Sequence, residues 1–173
     1  GSVELVFVGI ASGRPCGCPP YLQEAFEKGC RSFVVEADPA AFLGQDAIAQ
    51  SNILWVPHTV KALQTLAAFH RQHFQLPVIG ITGSNGKTVV KEWLYQLLYP
   101  DWRIVKSPRS YNSQIGVPLA VWQLRDDHEL AIFEAGLSQP GEMANLEPVI
   151  RPTMGIFTNL GEAHQANFAS YRQ

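Results

Sequence analysis

A lysine and a threonine behind a glycine-rich turn, Gly83-Ser84-Asn85-Gly86-Lys87-Thr88, are the residues of this sequence best suited to chemistry. Glycines let a backbone turn its N–H groups inward, a following helix N-terminus adds the positive end of its dipole, and Lys87 adds a mobile cation. Such a turn cradles phosphate, and the Thr88 hydroxyl falls where a magnesium ion bridging terminal phosphates would sit. The full Walker spacing needs glycine where this chain has Ile81, so the pattern present is the shorter G-x-x-G-K-T. Taken alone, a turn of this composition also serves as a plain strand-to-helix connection with an exposed lysine. Glu134 closes the apolar run Leu130-Ala131-Ile132-Phe133, and Asn159, Gly161, Glu162 and His164 follow another short apolar run over residues 154–158. Phosphoryl transfer from ATP needs a phosphate cradle, oxygen ligands for magnesium and a group near the terminal phosphate. Lys87 with Thr88, then Glu134, then Asn159 with His164 could supply each part. The plainer alternatives are a strand-end carboxylate capping a neighbouring helix for Glu134 and a solvated loop side chain for His164.

These groups meet only if the elements carrying them converge. Residues 78–81 read as a strand, the glycine turn as a loop, and the chain from Thr88 as a helix ended by Pro100, with Val90, Trp93, Leu94, Leu97 and Leu98 on one face. An all-apolar strand such as residues 130–134 suits a parallel sheet covered on both faces, whose C-terminal edge is where ligands bind. Residues 102–105 read as a further strand, 106–116 as an irregular loop, Pro118 as part of a helix first turn, and Gln139-Pro140-Gly141-Glu142 as a turn into a helix reaching about Val149. Upstream, a strand over residues 3–10, a helix over 21–28 capped by Gly29 and a strand over 32–36 make one β-α-β unit. Residues 38–51 read as loop or weak helix and 53–56 as a third strand. Thr59 reads as the N-cap of a helix reaching about Phe74, on which His70 and His73 are solvated or half-buried. Pro77 ends that pattern and sets the expected boundary, with a small α/β domain over residues 1–76 and a nucleotide domain over 77–173. The expected fold class is α/β, a phosphate-loop-containing, mostly parallel sheet with helices on both faces.

Composition narrows the rest. Forty-six per cent hydrophobic content over 173 residues is ample for a core, and 13 basic against 15 acidic residues give a net charge of -2 with no basic run. Nothing there suits nucleic acid or an anionic membrane. No apolar stretch is long enough to span a bilayer and no signal peptide is seen, so a cytoplasmic location is expected; a monomer is expected as well. Cys16, Cys18 and Cys30 are an odd set, poor for a disulfide framework. Cys16 and Cys18 could be half of a zinc site, but no second close pair follows, and free loop thiols are the simpler reading. The chain opens directly in a strand and ends at Gln173 without a closing element, as a piece of a larger protein would.

Four ordered segments, ITGSNGKTVVKEW, SPRSYNSQIGVPLAVW, AIFEAGLSQPGEMANLEPVIRP and FTNLGEAHQANFAS, resemble the Mur ligase superfamily, across most of residues 78–170. Among its members the resemblance is to those that join D-Ala-D-Ala to UDP-MurNAc-tripeptide in peptidoglycan synthesis. The resemblance implies ATP and Mg2+ as cofactors, those two small molecules as substrates, and an acyl-phosphate intermediate. It implies nucleotide contacts from Gly83, Ser84, Asn85, Gly86, Lys87 and Thr88, metal ligation by Thr88, Glu134 and His164, and catalytic roles for Lys87, Glu134 and His164. It also implies substrate contacts by Arg14, Asn112 and Asn159. Asn112 lies in the family's asparagine-rich loop, where Ser113 replaces a common second asparagine. Arg14 and Gly17 fit a substrate loop whose Asp and His are replaced here by Cys16 and Cys18. Family members continue into the rest of the central domain and a C-terminal domain, so this chain is expected to be an inactive fragment of its parent. A Mur-type ligase of another acceptor specificity, a folylpolyglutamate synthase, and a binding module without turnover are the alternatives.

Overall fold

The computed structural model of the protein describes residues 6–10, 19–41, 43–159 and 161. Packing divides the chain into two compact units, up to Leu63 and from Gln64 onward, each with its own parallel sheet.

The first unit runs β1 (Val6–Val8), α1 (Pro19–Glu27), β2 (Ser32–Val35), a 3-10 turn (Pro39–Ala41), α2 (Gln45–Ala49), β3 (Asn52–Trp55) and the start of α3 (Thr59–Arg71). Its strands lie in the order β1-β2-β3, all parallel. Alternate side chains of β2, Phe33 and Val35, enter a core with Leu22 of α1, Cys30, Leu43 and Ala47 of α2. Thr59 does not cap α3 as the sequence suggests. It is the first helical residue, and its N–H and its hydroxyl both donate to Glu36 Oε1, the latter at 2.9 Å. Parallel pairing explains the exchange, because Val56 N–H donates to Val35 C=O and the carboxylate just past β2 therefore meets the helix just past β3.

The second unit runs β4 (Val78–Thr82), α4 (Lys87–Leu98), β5 (Ile104–Lys106), α5 (Gly116–Val121), β6 (Leu130–Glu134), α6 (Glu142–Ile150) and β7 (Met154–Phe157). The strand order is β5-β6-β4-β7 with every pair parallel. Ile81 is in register with both Glu134 and Ile156, so the C-terminal ends of the three strands lie side by side. Period-2 alternation gives each face its own core. Val78, Val105, Ala131 and Phe133 pack with Ala67 of α3, Val117, Ala120 and Val121 of α5 and Leu146, Val149 and Ile150 of α6. Ile79, Ile81, Leu130 and Ile132 pack on the other face with Val90, Leu94 and Leu98 of α4. The sheet is thus covered on both faces, as an all-apolar β6 requires.

Pro77, where the sequence suggests a domain boundary, directly precedes β4. Compactness alone divides the chain earlier, inside α3, because Ala67 belongs to the second core. Arg71, buried at the end of α3, donates to the carbonyls of Ile150 at 2.9 Å and Phe74 at 2.7 Å, tying α3 to the end of α6. Burial, and secondarily the charge of Arg151, lowers its pKa.

Helix α4 departs from its expected face. Trp93 and Leu97 are exposed, while Lys91, a residue an apolar pattern passes over, has no exposed surface. The buried stripe is rotated toward Lys91 because the helix lies against the end of β6, where a buried carboxylate needs a counter-charge.

Candidate functional site

The site is built at the C-terminal edge of the second sheet, where β4, β6 and β7 end together. β4 leads into the glycine turn and α4, a strand–loop–helix order that aims helix N–H groups at the space above the sheet. The first bond within α4 runs from Val90 N–H to Gly86 C=O, so the N–H groups of Lys87, Thr88 and Val89 have no acceptor within the helix. Gly83 (φ +128°) and Gly86 (φ +82°) hold conformations that side chains resist. At Gly83 an added Cβ would lie 2.2 Å from Thr158 Oγ1, so the turn also needs the missing side chain for space.

Asn159, just past β7, binds the turn from outside. Its C=O accepts from Ser84 N–H at 2.9 Å, and its side-chain oxygen accepts from Asn85 N–H at 2.9 Å. Thr158 hydroxyl donates to Asn85 C=O at 2.6 Å, and Gly161 N–H donates to Ser84 Oγ at 2.9 Å. Lys87 Nζ donates to Gly83 C=O at 2.6 Å, folding back over its own loop.

Glu134, at the end of β6, is fully buried. Its Oε2 accepts from the Thr88 hydroxyl at 3.0 Å and from Asn112 Nδ2 at 3.3 Å. Its Oε1 accepts no hydrogen bond but stands 3.0 Å from Lys91 Nζ in an ion pair. Ser107 Oγ accepts from Glu134 N–H at 3.0 Å. Lys91 in turn donates to Ser107 C=O at 2.9 Å and to Arg109 C=O, and lies 3.2 Å from Glu92 Oε1. Glu92 also pairs with Lys106, and this hydrogen bond, ahead of the influence of Lys91, holds the Glu92 carboxyl below the ordinary carboxylate range.

The structure therefore brings Gly83, Ser84, Asn85, Gly86, Lys87, Thr88, Asn112, Glu134 and Asn159 to one edge. Asn112 arrives from the 107–115 loop, fixed where Gly136 N–H donates to its carbonyl at 2.7 Å and where a Cβ on Gly136 would come 2.9 Å from its Oδ1. Arg14, Cys16, Cys18 and His164 lie outside the described residues. Among the described residues no group of His, Cys, Asp and Glu could enclose a metal by itself. Sequence reasoning misses Lys91 and Ser107. For Lys91 a signal exists, since it stands one helical turn after Lys87 and so shares the face of α4 that meets the sheet edge.

The pattern of the Mur ligase middle domain matches residues 81–173. The chain is 37% identical over 144 residues to the UDP-N-acetylmuramoyl-tripeptide--D-alanyl-D-alanine ligase of Synechocystis, a match covering 83% of this chain and 31% of that protein. It superposes on a crystal structure of MurF from Acinetobacter baumannii with a TM-score of 0.82 at 28% identity, over 95% of this chain and 35% of that one. It also superposes on the MurF ligase of Thermotoga maritima in complex with ADP, with a TM-score of 0.78 at 30% identity, over 92% and 35%. The chain thus spans about a third of the length of these relatives.

Proposed function

This chain belongs to the Mur ligase family, and on that premise we propose that it forms the nucleotide-binding part of an ATP-dependent ligase that joins D-Ala-D-Ala to UDP-MurNAc-tripeptide. The observation that carries the reading is the Thr88–Glu134 hydrogen bond of 3.0 Å beside the glycine turn, which unites a phosphate cradle with a buried oxygen pair. The activity for which the relative from Synechocystis is named points to the substrates, and the ADP complex of the relative from Thermotoga points to the nucleotide.

The N–H groups at the start of α4 bind the β- and γ-phosphates, and Lys87 exchanges its Gly83 carbonyl for a phosphate oxygen, offsetting charge on the group being transferred. Thr88 and Glu134 would hold Mg2+. Both offer hard oxygens, and Glu134 Oε2 lies beside the Thr88 hydroxyl while Oε1 faces Lys91, a donor set that suits a hard divalent cation. When bound, that ion supplies further neutralisation of the phosphate oxygens. From the family resemblance alone we assign a metal-binding role to His164 and a substrate-binding role to Arg14, both outside the described residues. Asn112 orients Glu134 from the substrate side, and Asn159 holds the turn open. The tripeptide carboxylate attacks the γ-phosphorus and ADP leaves. The amine of the dipeptide then attacks the acyl carbon of the acyl phosphate, forming the amide and releasing phosphate. No side chain becomes covalently attached. We further propose that the protein acts as a monomer in the cytoplasm. Among the described residues no helix is long and apolar enough to cross a membrane.

Calorimetric titration of Mg·ATP into this chain and into Lys87→Ala, both shown folded by circular dichroism, tests the reading. Saturable binding that the variant loses is expected. A folded wild-type chain that binds no nucleotide overturns it.

A further inference from the structure

We propose that Lys91 is a positioning residue of the cation site, fixing one oxygen of Glu134 so that the other is presented beside Thr88 to a phosphate-bound divalent cation. The inference rests on the nucleotide reading above and deepens it. Lys91 has no exposed side-chain surface, which is rare for lysine, and every direction its ammonium faces is occupied. Two of its protons go to the carbonyls of Ser107 and Arg109, and the remaining side faces Glu134 Oε1 at 3.0 Å and Glu92 Oε1 at 3.2 Å.

A buried ion pair is a poor device for stability alone, since a well-packed apolar pair of the same volume does as well or better. What the ammonium adds is direction. The terminal torsion of a glutamate is broad and nearly two-fold, so the carboxylate plane is set by its partners. On the Oε2 side those are Thr88 and Asn112; on the Oε1 side there is no hydrogen bond, and the charge of Lys91 sets the plane. Lys91 also joins three pieces of chain that must keep register at the site. It sits on α4, which starts at the phosphate turn; it holds the strand end bearing Glu134; and it grips the carbonyls of the segment leading to Asn112. Lys91 and Lys106 together match the charges of Glu134 and Glu92, so the cluster is neutral before a cation and a polyphosphate arrive together.

The test is ATP binding by calorimetry, in Mg2+ and in EDTA, for the wild-type chain, Lys91→Met and Lys91→Gln. The wild type is expected to bind more tightly in Mg2+. Lys91→Met should shrink that advantage by about tenfold or more, the scale on which groups supporting a metal ligand act, with the affinity in EDTA unchanged because the turn and Lys87 are intact. Lys91→Gln, whose amide offers Glu134 the positive end of a dipole in place of the charge, should recover part of it. An Mg2+ advantage that is unchanged or larger in Lys91→Met overturns the proposal, as does a parallel loss in EDTA, which marks a purely structural role. Should Lys91→Met fail to fold, Lys91→Gln decides: a loss of about threefold confined to Mg2+ supports the proposal, and no loss overturns it. A wild type that binds ATP equally well without Mg2+ overturns this inference and leaves the nucleotide reading standing. A wild type that binds in neither condition overturns both.

Discussion

The Thr88 hydroxyl and the Glu134 carboxylate meet at 3.0 Å, joining the first turn of α4 to the end of an interior strand 46 positions later in the chain. Thr88→Val keeps the shape and removes the donor, leaving Oε2 with Asn112 alone. The stability cost should be about 1 kcal/mol, the ordinary scale for one hydrogen bond. Binding of Mg·ATP should fall by about tenfold or more if the hydroxyl also ligates the cation. A thermal melt and a calorimetric titration of the same sample separate the two effects, and a variant with unchanged affinity removes Thr88 from the cation site.

The two strained glycines of the turn should respond differently. Gly86→Ala meets only its positive φ, with open space around the new methyl, and should cost about 1 kcal/mol. Gly83→Ala meets both an unfavourable φ and Thr158 Oγ1 at 2.2 Å, and should cost about 2 to 4 kcal/mol. Urea midpoints measure the difference, and equal costs would mean that Thr158 yields without penalty.

The cap of α3 in the first unit comes from Glu36. Glu36→Ala should destabilise that unit by about 1 to 2 kcal/mol, while Glu36→Gln, which keeps an acceptor oxygen, should cost much less. Hydrogen exchange at the first turn of α3 reads the effect locally. Equal protection in both variants would place the cap elsewhere.

Acid should release the contribution of Glu92. Its hydrogen bond to Lys106 and then the nearby charges depress its folded pKa, so the folded state holds the carboxylate charged more strongly than the unfolded chain does. That stabilisation is fully present above the unfolded carboxylate pKa, about 4.3, and fades as pH falls through the lower, folded value. The stability difference between the wild type and Glu92→Gln should therefore be constant above about pH 5.5 and shrink below it. Urea titrations at stepped pH measure this, and a difference that grows toward acid would reverse the sign.

The sequence displays the parts of this unit that depend on composition and spacing. The strand before the turn, the turn, the apolar β6 and the place of Glu134 at its end all follow from periodicity and glycine chemistry, and the structure has them where the residues say. Lys91 and Glu36 are hidden because polar residues are read as surface until a partner is known, and their partners, Glu134 and Thr59, are brought close only by strand pairing. The face of α4 is misjudged for the same reason. Counting apolar residues selects Trp93 and Leu97, but the helix is oriented by a charge pair as well as by Val90, Leu94 and Leu98. β5 begins at Ile104, two positions past the expected start, because Trp102 N–H still completes the end of α4 by donating to Leu98 C=O.

The position of β4 between β6 and β7 has a consequence for the order in which the sheet edge is assembled. During synthesis the glycine turn is made before either of the strands that flank β4, and Thr158 reaches Thr82 across 76 positions of chain. Closing loops of that length is slow compared with forming a local helix. A nascent chain that has made only the turn and α4 has neither Glu134 nor Asn159 beside them, so the arrangement at the sheet edge forms only once β6 and β7 have joined β4. A ligand that binds only this assembled arrangement would draw the folding equilibrium toward it, by RT ln(1 + [L]/Kd).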